Sequence, residues 1–234
     1  MAERPYTLLS CCISLDGYLD TASGIRLVLS NAADLDRVDD VRAHCDAILV
    51  GAETVRSDNP RLLVRDDRRQ SARLARGIRA SPTKVTLTRQ AEISPDANFF
   101  AVGDVEKLVY CPTTVGPQAR ARFGSRATIV DSGECVELRH VCEDLHERGV
   151  NRLMVEGGGN ILTQFLREDL ADELHLAIAP LLVGDSRAKR FVGDGNFPWS
   201  PDNRAELVDV RAIGDIMLAR YALSPRFNQN EMEQ

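Results

Sequence analysis

The stretch LMVEGGGNILTQFL, Leu153 to Leu166, concentrates groups that could do chemistry. An apolar run ends on Glu156, Gly157, Gly158 and Gly159 follow, and beyond Asn160 the residues Ile161, Leu162, Phe165 and Leu166 share one helical face. An acid that ends a buried strand is costly unless it is paired or hydrogen-bonded, so Glu156 requires a donor, such as a substrate N–H group. Backbone amides at a helix N-terminus attract anions, and glycines let a phosphate approach them. The spacing matches neither the G-x-G-x-x-G dinucleotide fingerprint nor the G-x-x-x-x-G-K-[ST] phosphate loop. A tight strand-to-helix turn capped by Asn160 accounts for the glycines equally well, so the run alone leaves both readings open.

A second cluster lies in VGAETVRSDNPRLLVR, Val50 to Arg65. Gly51 and Ala52 are small enough for a ligand to approach the backbone, Thr54 offers a hydroxyl, and the turn-forming SDNP places Asp58 at a loop. An ordinary strand-to-helix turn followed by an Asx turn would read the same way. The third element, SLDGYLD, closes a strand at Asp16 and Gly17 and says little by itself.

These groups need a scaffold, and the chain alternates short apolar runs with helical patterns. YTLLSCCI, DAILVG, KVTLT, NFFAV, KLVYC, RATIV, RLMVE and ELHLAIA read as strands. NAADLDRVDDVRAHC reads as a helix with Leu35, Val38, Val41 and Cys45 on one face and Asn31 as its cap. VELRHVCEDLHERG does likewise with Leu138, Val141, Cys142 and Leu145, closing on Gly149. Repeated strand, helix, strand order predicts a largely parallel α/β sheet. Near the C-terminus two strand-like runs meet around Ile213, Gly214 and Asp215 as a hairpin would, so one edge is expected to be antiparallel and the sheet mixed. The charge-rich Arg65 to Ser81 segment reads as a solvated loop or frayed helix. One domain over 1–225 is expected, with a disordered tail over 226–234.

Composition narrows the function classes. A net charge of −6 with no basic stripe interleaved with aromatics argues against nucleic acid. No apolar run approaches the length of a membrane span and no cleavable leader is visible, so a cytoplasmic protein is expected. The 6 cysteines form no C-x-x-C pair and mostly sit in apolar runs, which reads as reduced core thiols. Neither His44 beside Cys45 nor His140 near Cys142 has metal-ligand spacing, so no metal is expected. A small molecule is the expected partner.

Taken together, SLDG at 14–17, VRAHCDAILVGAETVRSDNPRLLVR at 41–65, KVTLTR at 84–89, VEGGGNILTQFL at 155–166 and DELHLAIAPLLVGD at 172–185 resemble the pyrimidine reductase family of riboflavin biosynthesis. That family is the reductase half of the bifunctional deaminase-reductases, and the resemblance runs from about Tyr6 to Leu223. It implies a dihydrofolate-reductase-like α/β fold, NADPH as cofactor, and reduction of the ribosylamino group of a pyrimidine ribose 5′-phosphate to ribitylamino by hydride delivery to C1′. The zinc deaminase signature, H-x-E with a downstream P-C-x-x-C, does not occur. Carried over by position, Thr54 and Asp58 would lie along the cofactor, and Gly157, Gly158, Gly159 and Asn160 would cradle its phosphates. Thr88 and Arg89 would meet the 2′-phosphate. Arg42, Leu62, Arg65 and Glu156 would bind the substrate, and Asp58 would assist proton transfer. A homodimer is also implied.

The chain departs from the family pattern in two places. Where the bifunctional enzymes usually carry Ser-x-Trp-Ile-Thr, it reads Arg26, Leu27, Val28, Leu29 and Ser30, and Leu63 stands where threonine is common. Two other readings follow: a dihydrofolate, pterin or specialised-metabolite reductase of the same fold, and a noncatalytic nucleotide-binding regulator.

Overall fold

The computed structural model describes residues 3–23 and 27–227. In chain order the strands are β1 (Tyr6–Ser14), β2 (Ala47–Gly51), β3 (Thr83–Leu87), β4 (Lys107–Cys111), β5 (Thr128–Asp131), β6 (Arg152–Glu156), β7 (Glu173–Ala179), β8 (Glu206–Ile213) and β9 (Ile216–Ala222). The helices are α1 (Ala32–Ala43), α2 (Ala52–Asp58), α3 (Asp67–Ala75), α4 (Asn98–Ala101), α5 (Gly116–Phe123), α6 (Leu138–Glu147) and α7 (Gly159–Arg167).

The strands form one sheet in the order β5-β4-β3-β2-β6-β1-β7-β9-β8. From β5 to β7 every pairing is parallel, and β9 and β8 add an antiparallel edge, as the hairpin around Gly214 predicts. The central strands read as continuous apolar runs because both faces are covered: all of β2 is buried, whereas the edge strands β5 and β8 are partly open. One core lies under α6 and α7, where Leu145, Leu162 and Phe165 are completely buried, and a second lies under α2, α4 and α5.

Four sequence expectations are corrected. NFFAV is not a strand: Asn98–Ala101 is a short helix whose first amide donates to Asn59 Oδ1 at 2.7 Å and whose last carbonyls receive Lys84 Nζ. Its Phe100 ring stacks on Phe123 at 4.6 Å, and a short apolar run gives no periodicity by which to tell helix from strand. The Arg65 to Ser81 segment contains a firm helix, α3. Asp66 caps it by accepting from Arg68 N and Arg69 N, and buried Arg73 ties it down by donating to Ala43 O and Cys45 O, each at 2.8 Å. In α1 the Asn31 cap holds and Val38, Val41 and buried Cys45 meet the core as expected, but Leu35 is 38% exposed and the buried positions within the helix are Asp34, Asp39 and Ala43. Acids face inward there because donors meet them: Arg37 at Asp34, and the amides of Arg65 and Asp66 at Asp39. Finally, Arg226 is no free tail, since Nη1 donates to Asp172 Oδ2 and to Pro5 O, both at 3.1 Å; residues 228–234 of the expected tail lie outside the described residues.

Candidate active site

In a parallel sheet flanked by helices, ligands collect beyond the carboxyl ends of the strands. Here the carboxyl end of β6, the neighbouring middle of β1 and the helix that follows β2 open on a cavity of about 580 Å³. β1 contributes Ser10, Cys11 and Cys12; α1 contributes Asp34, Arg37 and Arg42; α2 contributes Thr54, Ser57 and Asp58. Glu156, the glycine turn, Asn160 and the basic pair Lys189 and Arg190 complete the wall. A smaller cavity of about 380 Å³ adjoins it through Asp20, Ser57, Asp58 and Lys189, and Arg187 lines that second space.

The glycine run has a local physical cause. Gly157 and Gly158 adopt positive φ values of 76° and 62°, and Gly158 is the N-cap of α7, so Asn160 sits inside the first turn rather than capping it. A Cβ at 158 would lie 2.9 Å from Thr54 Oγ1, and one at 159 would lie 2.3 Å from the Arg190 carbonyl oxygen. The turn is thus wedged between α2 and the 189–193 loop. The first amides of α7 have no partner within the helix. A phosphate placed there meets a positive dipole end with Arg190 close by. The Arg190 guanidinium lies 4.8 Å above the Tyr18 ring and donates to the Tyr18 hydroxyl, and it forms no ion pair among the described residues.

Glu156 has found a donor within the chain. Arg42 Nε donates to Oε1 and Nη2 to Oε2, both at 2.6 Å, while Nη1 donates to the Leu63 carbonyl at 3.2 Å. Burial disfavours the Arg42 charge, yet the Glu156 carboxylate outweighs it and holds the guanidinium pKa above its ordinary value. Two residues expected to bind substrate therefore bind each other, and the side chain of Leu63 is immaterial to a contact made by its carbonyl.

The other expected site residues divide. Thr54, Asp58, Asn160 and the glycines line the cavity with Arg42 and Glu156. Asp58, the last residue of α2, accepts from Ser57 Oγ at 2.7 Å. Leu62 is not among the lining residues: at φ 50° its side chain turns into the core and is 2% exposed. Arg65 also stands outside, donating to Asp39 and to the Leu35 carbonyl. Thr88 and Arg89 follow the end of β3, two strands from β6, beyond the cavity wall; Thr88 Oγ1 accepts from Ala91 N at 2.9 Å. Leu27, Val28, Leu29 and Ser30 line the cavity in place of the tryptophan-bearing segment, while Arg26 lies outside the described residues. The SLDG turn acts at a distance from the chemistry, since Asp16 accepts from Val183 N and Gly184 N and so pins the loop leaving β7.

Sequence reasoning missed Asp34, Arg37, Lys189 and Arg190. The run SRAKRF carried a signal for the last two, a basic cluster in a loop after a strand; nothing in the helical pattern of α1 marked Asp34 as buried. Burial raises the Cys12 thiol pKa to about 11 and pushes that of Cys11 up as well, so neither thiol is a nucleophile at neutral pH. Among the described residues no group of three His, Cys, Asp or Glu side chains is set to hold a metal, and no helix is long and apolar enough to cross a membrane.

A family model for the RibD C-terminal domain matches residues 5–219. The chain belongs to that family. Family relatives include proteins named 2,5-diamino-6-ribosylamino-4(3H)-pyrimidinone 5′-phosphate reductase: that of Methanothermobacter thermautotrophicus is 33% identical, covering 94% of this chain and 99% of the relative. The Archaeoglobus fulgidus protein of the same name is 31% identical, covering 97% and 100%. Among solved structures, a pyrimidine reductase-like protein from Corynebacterium diphtheriae superposes with a TM-score of 0.80 at 21% identity, covering 93% of this chain and 91% of that one. Acinetobacter baumannii RibD gives 0.75 at 23% identity, and there this chain, matched over 94% of its length, spans 58% of the longer one. Both likenesses are of fold, a mixed sheet flanked by helices that this RibD-family chain shares with them.

Proposed function

We propose that this family member reduces the ribosylamino group of 2,5-diamino-6-ribosylamino-4(3H)-pyrimidinone 5′-phosphate to a ribitylamino group at the expense of NADPH. The observation that carries the reading is the gathering, in one cavity at the strand ends, of a glycine turn opening a helix, an acid on α2 and three arginines, in a chain whose full-length relatives bear that name. Their names favour the 2-amino ring over its 2-oxo counterpart.

The residues present fit a dinucleotide. Gly157, Gly158 and the first amides of α7 offer room and dipole for the phosphates, Thr54 packs against the turn, and Arg190 supplies a cation. Thr88 and Arg89 would meet the 2′-phosphate at the end of β3, an assignment tested by comparing kcat/KM for NADPH and NADH in wild type and Arg89→Ala. When bound, the nicotinamide supplies the hydride that C1′ accepts. Opening the sugar ring puts a proton on the ring oxygen while the glycosidic nitrogen gives up its own, and hydride addition at C1′ of the resulting carbon–nitrogen double bond returns one proton to nitrogen. Asp58 is the group we assign to proton transfer at the ring oxygen, and a positioned acid contributes about 10² to 10⁴ in rate. Arg42, released in part from Glu156, would meet the sugar phosphate. Asp58→Asn should keep NADPH affinity while turnover falls at least about tenfold; unchanged turnover removes Asp58 from the mechanism.

We assign the reaction to the cytoplasm, where buried thiols such as Cys45 and Cys142 stay reduced. We further propose a homodimer through the β8–β9 hairpin, where Leu207 and Val210 of β8 and Met217 of β9 are 53%, 50% and 44% exposed; a monomer by light scattering would exclude it. The deciding assay measures NADPH oxidation with the 2-amino and 2-oxo ribosylaminopyrimidine phosphates and with dihydrofolate. Activity confined to dihydrofolate would overturn the substrate, and tight NADPH binding without turnover of any of them would indicate a regulator.

A further inference from the structure

Asp34 stands in the first turn of α1, completely buried, on the wall of the main cavity. Its two carboxylate oxygens are not equivalent. Oδ1 accepts from Arg37 Nε at 2.8 Å, whereas Oδ2, equally buried, has no hydrogen-bond partner among the described residues. Native interiors rarely leave a carboxylate oxygen in that condition, and one on a cavity wall points to a ligand donor. The remaining cavity acids differ. Both oxygens of Glu156 are taken by Arg42, Asp58 is engaged by Ser57, Glu53 pairs with Lys189 at 2.7 Å, and Asp20 Oδ1 accepts from the amides of Thr21 and Leu27.

Asp34 is also held firmly. Arg37 Nη1 lies 3.2 Å from His175 Nδ1, and His175 Nε2 lies 2.7 Å from Glu173 Oε1. A guanidinium only donates, so Nδ1 accepts from Arg37, while Nε2 lies between Glu173 Oε1 and Arg220 Nε, which is 3.1 Å away. The imidazole is therefore neutral, and Glu173 is steadied in turn by Arg220 Nη2 at 2.7 Å. This relay of Glu173, His175 and Arg37 commits one oxygen of Asp34 and leaves the other unpartnered on a residue of the cavity wall.

We propose that Asp34 Oδ2 receives an exocyclic amino group of the substrate pyrimidine, taking the role that sequence reasoning gave to Glu156. The inference rests on the reading of the site as an aminopyrimidine phosphate reductase. A single acceptor oxygen suits an amine conjugated to a heterocycle, which donates and does not accept; a hydroxyl or carboxamide would bring an acceptor needing its own donor. Arg37 and His175 are positioning residues that act through Asp34.

The test uses the full chain, with the bare base 2,5,6-triamino-4-pyrimidinone and NADPH as calorimetric probes and the ribosylaminopyrimidine phosphate as substrate. In Asp34→Asn the amide keeps Oδ1 toward Arg37 and turns its NH2 toward the ligand, donor against donor. Base affinity should fall at least about tenfold and substrate KM rise in step, while NADPH affinity stays within about twofold. If D34N does not fold, Asp34→Ser, whose hydroxyl can accept from Arg37, carries the same expectation. His175→Phe, which removes the acceptor for Arg37, should weaken the base and leave NADPH unchanged. Base binding equal to wild type in the Asp34 variant overturns the proposal, as does a loss confined to NADPH, which would move the contact to the cofactor carboxamide. A wild-type protein that binds the base through Asp34 yet turns over no ribosylaminopyrimidine phosphate would sink the proposed function and leave Asp34 standing. One that binds no base at all sinks both.

Discussion

The Arg42–Glu156 pair joins α1 to the end of β6, and its strength can be worked from its geometry. Two charge-assisted hydrogen bonds of 2.6 Å connect side chains that are 14% and 16% exposed. Removing one partner of a fully buried pair costs about 3–5 kcal/mol, and an exposed pair contributes about 0–1 kcal/mol. The partial exposure places this one between those limits, at about 2 kcal/mol of coupling after discounting for solvent screening. Glu156→Gln and Arg42→Gln should each lower the melting temperature by roughly 4–8 °C, since 1 kcal/mol corresponds to about 2–4 °C in a chain of this size. The double variant should lose less than the sum, and urea unfolding of the four proteins gives the coupling term directly. A coupling below about 0.5 kcal/mol would mean that the two side chains are independent, and that the strand-end acid does not need its arginine.

Three further outcomes test other parts of the structure. Gly159→Ala places a Cβ 2.3 Å from a backbone oxygen of Arg190, so the 189–193 loop must move; NADPH affinity, followed by fluorescence titration, should drop at least about tenfold, and unchanged affinity would detach the turn from the cofactor. Asp172, fully buried, accepts from Arg4 at 2.6 and 2.9 Å, from Thr7 N at 2.8 Å and from Ser224 Oγ at 2.6 Å; Asp172→Asn should cost about 3 kcal/mol in urea unfolding, and a loss within experimental error would show that the chain ends are held by other contacts. Burial lowers the Lys84 pKa from 10.5 to about 7, so between those values the unfolded chain binds the extra proton and stability rises with pH. The stability difference between wild type and Lys84→Met should therefore grow from pH 7 to pH 9 by up to about 1 kcal/mol per unit, and a difference that stays flat would contradict the shift.

The sequence by itself determined the sheet and the strand end at which its main cavity opens. Strand runs such as RLMVE and DAILVG are short and apolar throughout, the alternation with helices forces parallel pairing, and the Gly214 turn reverses the chain at the edge; each signal is local, so each can be read without neighbours. The glycine run was legible for the same reason, because positive φ at 157 and 158 is a demand that only glycine meets easily. Motif resemblance then brought Thr54, Asp58, Arg42 and Glu156 to one cavity wall. Tertiary structure alone decided which groups face each other. It spent Glu156 on Arg42, folded Leu62 into the core, and buried Asp34 on a helix whose pattern promised Leu35 instead. Those outcomes depend on donors that lie far away in the chain, 114 residues between Arg42 and Glu156 and 138 between Arg37 and His175, and no window of sequence contains both ends of such a contact.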